Sequence, residues 1–316
     1  MSYFSGPSDD QPFDGPGVNA RQVIGWCGKR QKTSRSTDAV LPISSELMPN
    51  YICVTCGVQY TESPAPPAAC PICRDPRQFI GLEGQKWTTG EEMRATYLNE
   101  IKEEEPGLYS IHTEPSFAIG QRAFLLRTTK GNLLWDCVSL LDDATIGTIR
   151  SRGGIDAIAI SHPHYYSSMV DWSAAFGDAP IYIHESDAQW IMRPDPRVHY
   201  WSGASIPLLD SVMLIVTPGH FDGFQVLHWR QGAGGQGALL SGDQPQVCMD
   251  TRWVSFMYSY PNYIPLAPAT VSRIVEILRP YAFDRIYGAF PRRTVATEGK
   301  AAVERSAERY LRAVGA

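Results

Sequence analysis

Apolar and polar positions along this chain change period several times, and each change marks a part of it. From residue 108 onward short apolar runs dominate. Tyr109 to Glu114, Phe117 to Thr128 and Asn132 to Cys137 each read as strands. Beyond them strand-like runs alternate with helical spacing. "IDAIAIS", "APIYIH", "VMLIVT", "FQVLHW" and "GALLSG" predict strands, while "SMVDWSAAF" and "ESDAQWIM" predict short helices. Thr270 is placed to cap "VSRIVEIL", which stops at Pro280, and a last helix is predicted over 297–314 with Val303, Tyr310, Leu311 and Val314 on one face. Upstream, Thr89-Gly-Glu-Glu92 fits a capping box, after which Met93, Tyr97, Leu98 and Ile101 recur at helical spacing until "EEEPG" ends the pattern. The spacing therefore predicts a connector helix within 81–107 and an α/β (α+β) domain over 108–316.

Residues 1–47 show neither period. Gly, Pro, Ser and Asp dominate the first 17, and Arg21 to Arg35 carries five positive charges with few apolar partners. A solvated tail is expected there, with a docking arm as the alternative reading. The N-terminus lacks a basic segment leading into an apolar one, and no apolar run approaches the ~18 residues of a membrane span. A cytoplasmic protein with no membrane partner is expected. The formal charge of −5 over 316 residues gives no basic face for nucleic acid.

Two pairs of cysteines change the picture. Cys53-x-x-Cys56 and Cys70-x-x-Cys73 lie on either side of a Pro-rich loop, "GVQYTESPAPPAA". Four thiolates at this spacing make a tetrahedral sulfur site for Zn²⁺, with iron as the other metal such a set accepts. A segment of about 30 residues has too little core to fold unaided, so the metal is expected to stabilise residues 48–80 as a small structural domain.

Three histidines and an aspartate form a second set. His162 and His164 follow the strand "IDAIAI", His220 follows "IVTPG", and Asp243 follows "GALLSG". Ligand sites in layered α/β proteins gather beyond strand ends. Each group alone reads as an ordinary loop residue. Three imidazoles and a carboxylate, all after apolar strands, read as a set for Zn²⁺ or Fe²⁺.

In order and spacing, "SHPHYYS", "TPGHFDG" and "LLSGDQ" resemble the three central motifs of the metallo-β-lactamase superfamily. "NLLWDC", ending near Asp136, and "IYIHESDAQW", with His184 at a strand–helix junction, are similar to its flanking segments. The resemblance covers roughly 108–314. It implies a four-layer αβ/βα sandwich with metal between the edges of two sheets, held here by His162, His164, His220 and Asp243. This sequence departs from the family where a second ion would bind. The motif acid falls on Tyr166, its neighbouring histidine on Ser167, and the last histidine on Ala289, after Gly288. All three losses belong to one subsite, which points to a mononuclear site. The cysteine segment resembles the rubredoxin and zinc-ribbon pattern. "CPICRD" lacks the glycine usual after the second knuckle, which favours zinc over an electron-carrying iron centre.

Such a site implies a metal-dependent hydrolase of an ester, thioester or lactone/lactam-like bond in a small-molecule substrate. Tyr165 or Tyr166 could replace the missing acid by orienting water or stabilising an oxyanion, and packing beneath the metal loop is the competing role. "RWVSFMYSYPNYIPL" places Trp253, Phe256, Tyr258 and Tyr260 shortly after Asp243. These could line an apolar substrate pocket, the core of the domain or a homodimer contact. Two further outcomes remain open: a mononuclear iron oxygenase like the persulfide dioxygenases of the superfamily, and a relative that keeps the metal for binding alone.

Overall fold

A computed structural model describes residues 48–316, so the tail expected over 1–47 lies outside the described residues. Two sheets stack face to face. The seven-stranded sheet runs, in spatial order, Leu98–Glu105, Leu108–Glu114, Arg122–Thr128, Gly131–Trp135, Ala157–Ala159, Ile181–His184 and Val198–Trp201. Its first four strands pair antiparallel and the rest parallel. The six-stranded sheet runs Ser205–Leu208, Val212–Val216, Gln225–Trp229, Ala238–Gly242, Arg285–Gly288 and Thr294–Val295, with one parallel pair between Ala238–Gly242 and Arg285–Gly288.

The near-continuous apolar runs follow from burial on both faces of each sheet. In the seven-stranded sheet, Phe124, Leu126, Leu133 and Trp135 point inward and meet Leu214, Leu227, Leu240 and Tyr287 of its partner. Their chain neighbours Leu125 and Leu134 point outward instead. That outer face is covered by Ile149 of the helix Asp143–Arg150 and by Met169, Val170 and Trp172 of the helix Met169–Ala175. The six-stranded sheet is covered by the helices Pro268–Leu278 and Gly299–Ala313 through Val271, Ile274, Leu278, Ala302 and Val303. The result is the expected four-layer αβ/βα sandwich.

Several boundaries differ from the sequence expectation. The capping box at Thr89 forms, with Glu92 N donating to Thr89 Oγ1 at 3.2 Å and Thr89 N to Glu92 Oε2 at 3.0 Å, but its helix stops at Thr96. Leu98–Glu105 is a strand rather than the rest of a connector helix. Asn99 and Ile101 are half-buried while Leu98, Glu100 and Lys102 are exposed, a period of two that wins once Leu108–Glu114 is available to pair. "EPGL" is then a hairpin turn, with Pro106 and Gly107 (φ +88°) in the positions a type II turn gives them. The sandwich therefore begins near residue 98, not 108. Thr270 lies inside a helix that starts at Pro268, because proline fits the first helical position.

The cysteine segment is built as a ribbon against this sandwich. Tyr51–Cys53 pairs antiparallel with Trp87–Thr89, and Pro71–Arg74 forms one helical turn. Its residues share one apolar cluster with Ile111, Leu125 and Leu134 of the large sheet, so the ribbon and the sandwich have a common core. Gly57 marks the closest approach. It sits at φ +81°, and a Cβ there would stand 2.5 Å from Ser139 Oγ, which donates instead to the Gly57 carbonyl at 2.7 Å.

Candidate metal centre

Strand ends deliver the four ligands. Ser161 closes the parallel strand Ala157–Ala159, and its amide donates to the buried Asp136 carboxylate at 2.7 Å, which fixes where the His162–His164 turn begins. Burial pushes the Asp136 carboxyl up to about 8. From the other sheet, Val212–Val216 leads into the turn bearing His220, and Ala238–Gly242 ends directly before Asp243. Gly242, at φ +55°, lies against Ser161: a Cβ there would be 2.9 Å from Ser161 Oγ. Only glycine lets the two sheets close enough at this point for Asp243 to reach His162.

The side chains converge. One ligand atom from each of His162, His164, His220 and Asp243 lies within 4.8 Å of every other, and all four residues are buried. His162 Nε2 is 3.4 Å from Asp243 Oδ2, His220 Nε2 is 3.3 Å from His164 Nδ1, and His220 Nε2 is 4.0 Å from Asp243 Oδ2. Ligands ~2.1 Å from a tetrahedral Zn²⁺ stand ~3.4 Å apart, so two of these separations fit and the third is wider. Burial holds His162 and His164 well below the usual imidazole range and takes His220 down to about 3, leaving neutral rings with a free lone pair. His162 Nε2 is buried and has no hydrogen-bond partner, the condition of a ligand atom awaiting a cation.

Supporting contacts set the orientation. His220 Nδ1 donates to the Tyr258 carbonyl at 2.8 Å, which turns Nε2 toward the cluster. His162 Nδ1 lies 2.9 Å from Ser161 Oγ. Asp243 Oδ1 accepts from Tyr165 Oη at 2.6 Å and from Gln246 Nε2 at 3.1 Å, leaving Oδ2 to the histidines. Burial and the neighbouring carboxylate raise the Tyr165 phenol, so it stays protonated and donates.

At the positions where the sequence resemblance implied a second ion, the described residues offer neutral groups. Ser167 Oγ donates to the Cys137 carbonyl at 3.1 Å and receives Gln121 Nε2 at 3.1 Å, and Ala289 is buried. Tyr166 is buried too, with its hydroxyl 3.4 Å from the Asp187 carbonyl. Neither Tyr165 nor Tyr166 lines the open cavity over the ligands, so a direct role for them in orienting water or stabilising an oxyanion is corrected: Tyr165 positions Asp243, and Tyr166 packs beneath the loop.

That cavity has a volume of about 460 Å³, with His164, His220 and Asp243 on its floor. Of the four aromatic residues expected to wall it, only Tyr260 does so, and its hydroxyl donates to the Asp243 carbonyl at 2.7 Å. Phe256 is buried in the cluster under the two C-terminal helices, and Trp253 lies beneath the guanidinium groups of Arg305 and Arg309. Tyr258 supplies its carbonyl to His220 and its ring to that cluster's edge. The chain around the two short strands Val254–Ser255 and Met257–Ser259 packs on the C-terminal helices, which takes most of its aromatic side chains away from the cavity. Much of the wall comes from the ribbon instead: Val54, Thr55, Arg77, Gln78, Phe79 and Gly81. His184 is likewise elsewhere, capping the turn Glu185–Trp190.

Sequence reasoning missed two supports. Arg77 pairs with Asp75 through Nε–Oδ1 at 2.6 Å and Nη2–Oδ2 at 2.8 Å, donates from Nη1 to the His220 carbonyl at 3.2 Å, and lies 3.9 Å over the Phe221 ring. Asp187, pushed up to about 7 by burial, accepts from Gly223 N at 2.9 Å and holds the His220 turn from its other end. An acid just after "IYIH" was the available signal for Asp187; Arg77 had none.

The four cysteines form the second convergent set, every Sγ within 4.8 Å of the others. Cys53 and Cys73 stand 3.6 Å apart and Cys56 and Cys70 3.7 Å, far beyond a disulfide bond and close to the ~3.8 Å edge of a tetrahedron with ~2.3 Å metal–sulfur bonds. Gln85 braces the set, donating to Cys53 Sγ at 3.1 Å and accepting from Cys70 N at 3.2 Å.

Solved structures with this architecture include VMB-1, with a TM-score of 0.52 at 12% identity over 68% of this chain and 98% of that one. The DIM-1 metallo-β-lactamase gives 0.51 at 13%, covering 67% and 97%. TMB-1 gives 0.50 at 12%, covering 67% and 98%. No family model matches the chain. The uncharacterized protein YmaE of Bacillus subtilis (strain 168) is 50% identical over 269 residues, which cover 84% of this chain and 97% of YmaE. The chain thus belongs to the family of YmaE and has the metallo-β-lactamase fold, with a four-cysteine ribbon built against it.

Proposed function

We propose that this protein is a metal-dependent hydrolase that cleaves an ester, thioester or lactone-like bond of a small molecule at a mononuclear His₃Asp site. The observation that carries this reading is the placement of three ligand residues on the floor of an open cavity of about 460 Å³, a size suited to a small organic molecule. Second support is that, among the described residues, the His, Cys, Asp and Glu side chains converge in only two groups able to hold an ion, the four cysteines and the set His162, His164, His220 and Asp243. The fourfold donor set suits Zn²⁺; the cysteine ribbon suits a second, structural Zn²⁺.

An ion held by His162, His164, His220 and Asp243 supplies Lewis acidity toward a carbonyl and a water. The chain's own residues do the rest. Tyr165 and Gln246 hold the Asp243 carboxylate in one orientation, and Tyr258 holds His220. Gln246 reaches the cavity as an amide donor, while the Tyr260 phenol, raised by burial and the adjacent Asp243 carboxylate, stays protonated and donates to the Asp243 carbonyl, which fixes the cavity wall at that point.

Elemental analysis joined to an ester and lactone panel tests the reading. Two zinc ions per chain are expected, with turnover lost in His220→Ala while the cysteine-bound ion remains. One zinc with one iron and oxygen-dependent turnover would replace hydrolysis by oxygenase chemistry.

A further inference from the structure

We infer that the ribbon-side wall of the cavity is a binding subsite for an uncharged, apolar acyl or aryl group, and that Phe79 with Thr55 sets its length; the inference rests on the hydrolase reading only for which end of the ligand reacts. The cavity has two unlike ends. Its floor holds His164, His220, Asp243 and Gln246, whereas its upper part is made by Val54, Phe79, Ala118, Ile119, Pro261 and Phe290. Phe79 lines the cavity with 51% of its surface open to solvent, so a ligand seated there has apolar surface to cover.

Charge narrows the ligand class. Among the described residues that line the cavity the sole cation is Arg77, and it is committed: two of its nitrogens pair with the Asp75 carboxylate and the third donates to the His220 carbonyl. Among the described residues, no free ammonium or guanidinium lines the apolar wall to receive a carboxylate or phosphate. A phosphate-bearing or carboxylate-bearing ligand would be desolvated there without a partner. A neutral chain has no charge to desolvate and gains up to about fourfold in affinity for each methylene taken out of water.

The wall is rigidly placed for this task. Asn262 Nδ2 donates to the carbonyls of Pro76 at 2.9 Å and Gln78 at 3.1 Å, and Ser259 Oγ donates to the Arg77 carbonyl at 3.1 Å. The segment bearing Phe79 is thereby strapped to the same loop whose Tyr258 carbonyl holds His220, so the apolar wall and the metal ligands keep a fixed separation.

Binding and turnover are measured separately on the metal-loaded full chain. Neutral, slowly hydrolysed probes (butyramide, hexanamide and octanamide) are titrated by calorimetry, beside p-nitrophenyl butyrate, hexanoate and octanoate as substrates. Affinity for the amides is expected to rise by up to about fourfold per methylene. Phe79→Ala is expected to flatten that rise for the longest probe by roughly tenfold with little change for butyramide. Thr55→Trp, which fills the wall, is expected to exclude octanamide and keep butyramide. Amide affinities independent of length, or a length dependence unmoved in both variants, would overturn the subsite. So would tenfold tighter binding of octanoate than of octanamide to His220→Ala protein, in which the catalytic ion no longer attracts the anion. Length-dependent amide binding without turnover of any ester keeps the subsite and removes the hydrolase reading; ester turnover indifferent to length does the reverse.

Discussion

Replacing Tyr165 by Phe removes one oxygen atom and tests how Asp243 is held. The phenol donates to Asp243 Oδ1 at 2.6 Å, both residues are buried, and the ring packs 4.4 Å from that of His162. Phe keeps the ring and its packing. A hydrogen bond to an ionised group contributes ~1.5–3 kcal/mol net, and Gln246 remains 3.1 Å from the same oxygen to satisfy part of its need, so the lower half of that range applies. A loss of ~1.5–2 kcal/mol corresponds to about 10–30-fold in the dissociation constant of the His-site ion, in line with the ~10–100-fold usual for outer-shell partners. Competition with a chromophoric chelator at fixed pH measures it. Tyr166→Phe is the control: its hydroxyl lies 3.4 Å from the Asp187 carbonyl and outside the cavity, so affinity should stay at the wild-type value. A Tyr165→Phe affinity within twofold of wild type, or a drop equal in both variants, would refute the idea that the phenol orients the carboxylate.

Other outcomes follow from the same contacts. Arg122 is almost wholly buried, and its guanidinium reaches Glu104 Oε1 at 3.1 Å and the carbonyls of Gly288 and Arg293 at 3.0 Å, so Arg122→Ala should cost ~3–5 kcal/mol in urea unfolding. For Asp187 the folded carboxyl lies at about 7 against an ordinary 3.8. Its contribution is fully present below pH ~4 and is lost as pH rises through ~7; between pH 5 and pH 8 the change is about 2.5 kcal/mol, which Asp187→Asn should abolish when unfolding is compared at those two values. Graded chelation should strip the His-bound ion before the cysteine-bound one, because a closed thiolate site exchanges slowly; metal counts along an EDTA series check it, and simultaneous loss would contradict the distinction.

What could be read from the chain divides by range. His162, His164, His220 and Asp243 each follow an apolar run, and that local pattern sufficed to bring them together. The cysteine pairs were equally legible, since ligand spacing is itself the signal. Leu98–Glu105 was misread because Met93, Tyr97 and Ile101 fit a helical period by coincidence; only pairing with Leu108–Glu114 decides between the two. The aromatic residues after Asp243 were near the site in sequence and mostly away from it in space. Phe79 and Arg77 show the opposite case, more than 140 positions before His220 and yet beside it. Arg122, inside "QRAFLL", gives no local sign that it joins two sheets.

The shared core of ribbon and sandwich has a bearing on how this protein can be dissected. A shortened chain starting at the first sandwich strand would break up the apolar cluster that ribbon and large sheet share, leave Ser139 without the Gly57 carbonyl, strip the guanidinium from the His220 carbonyl and leave the cleft without one side. The cysteine module is therefore no detachable appendage; deletion experiments will report on the integrity of the whole body rather than on a separable accessory.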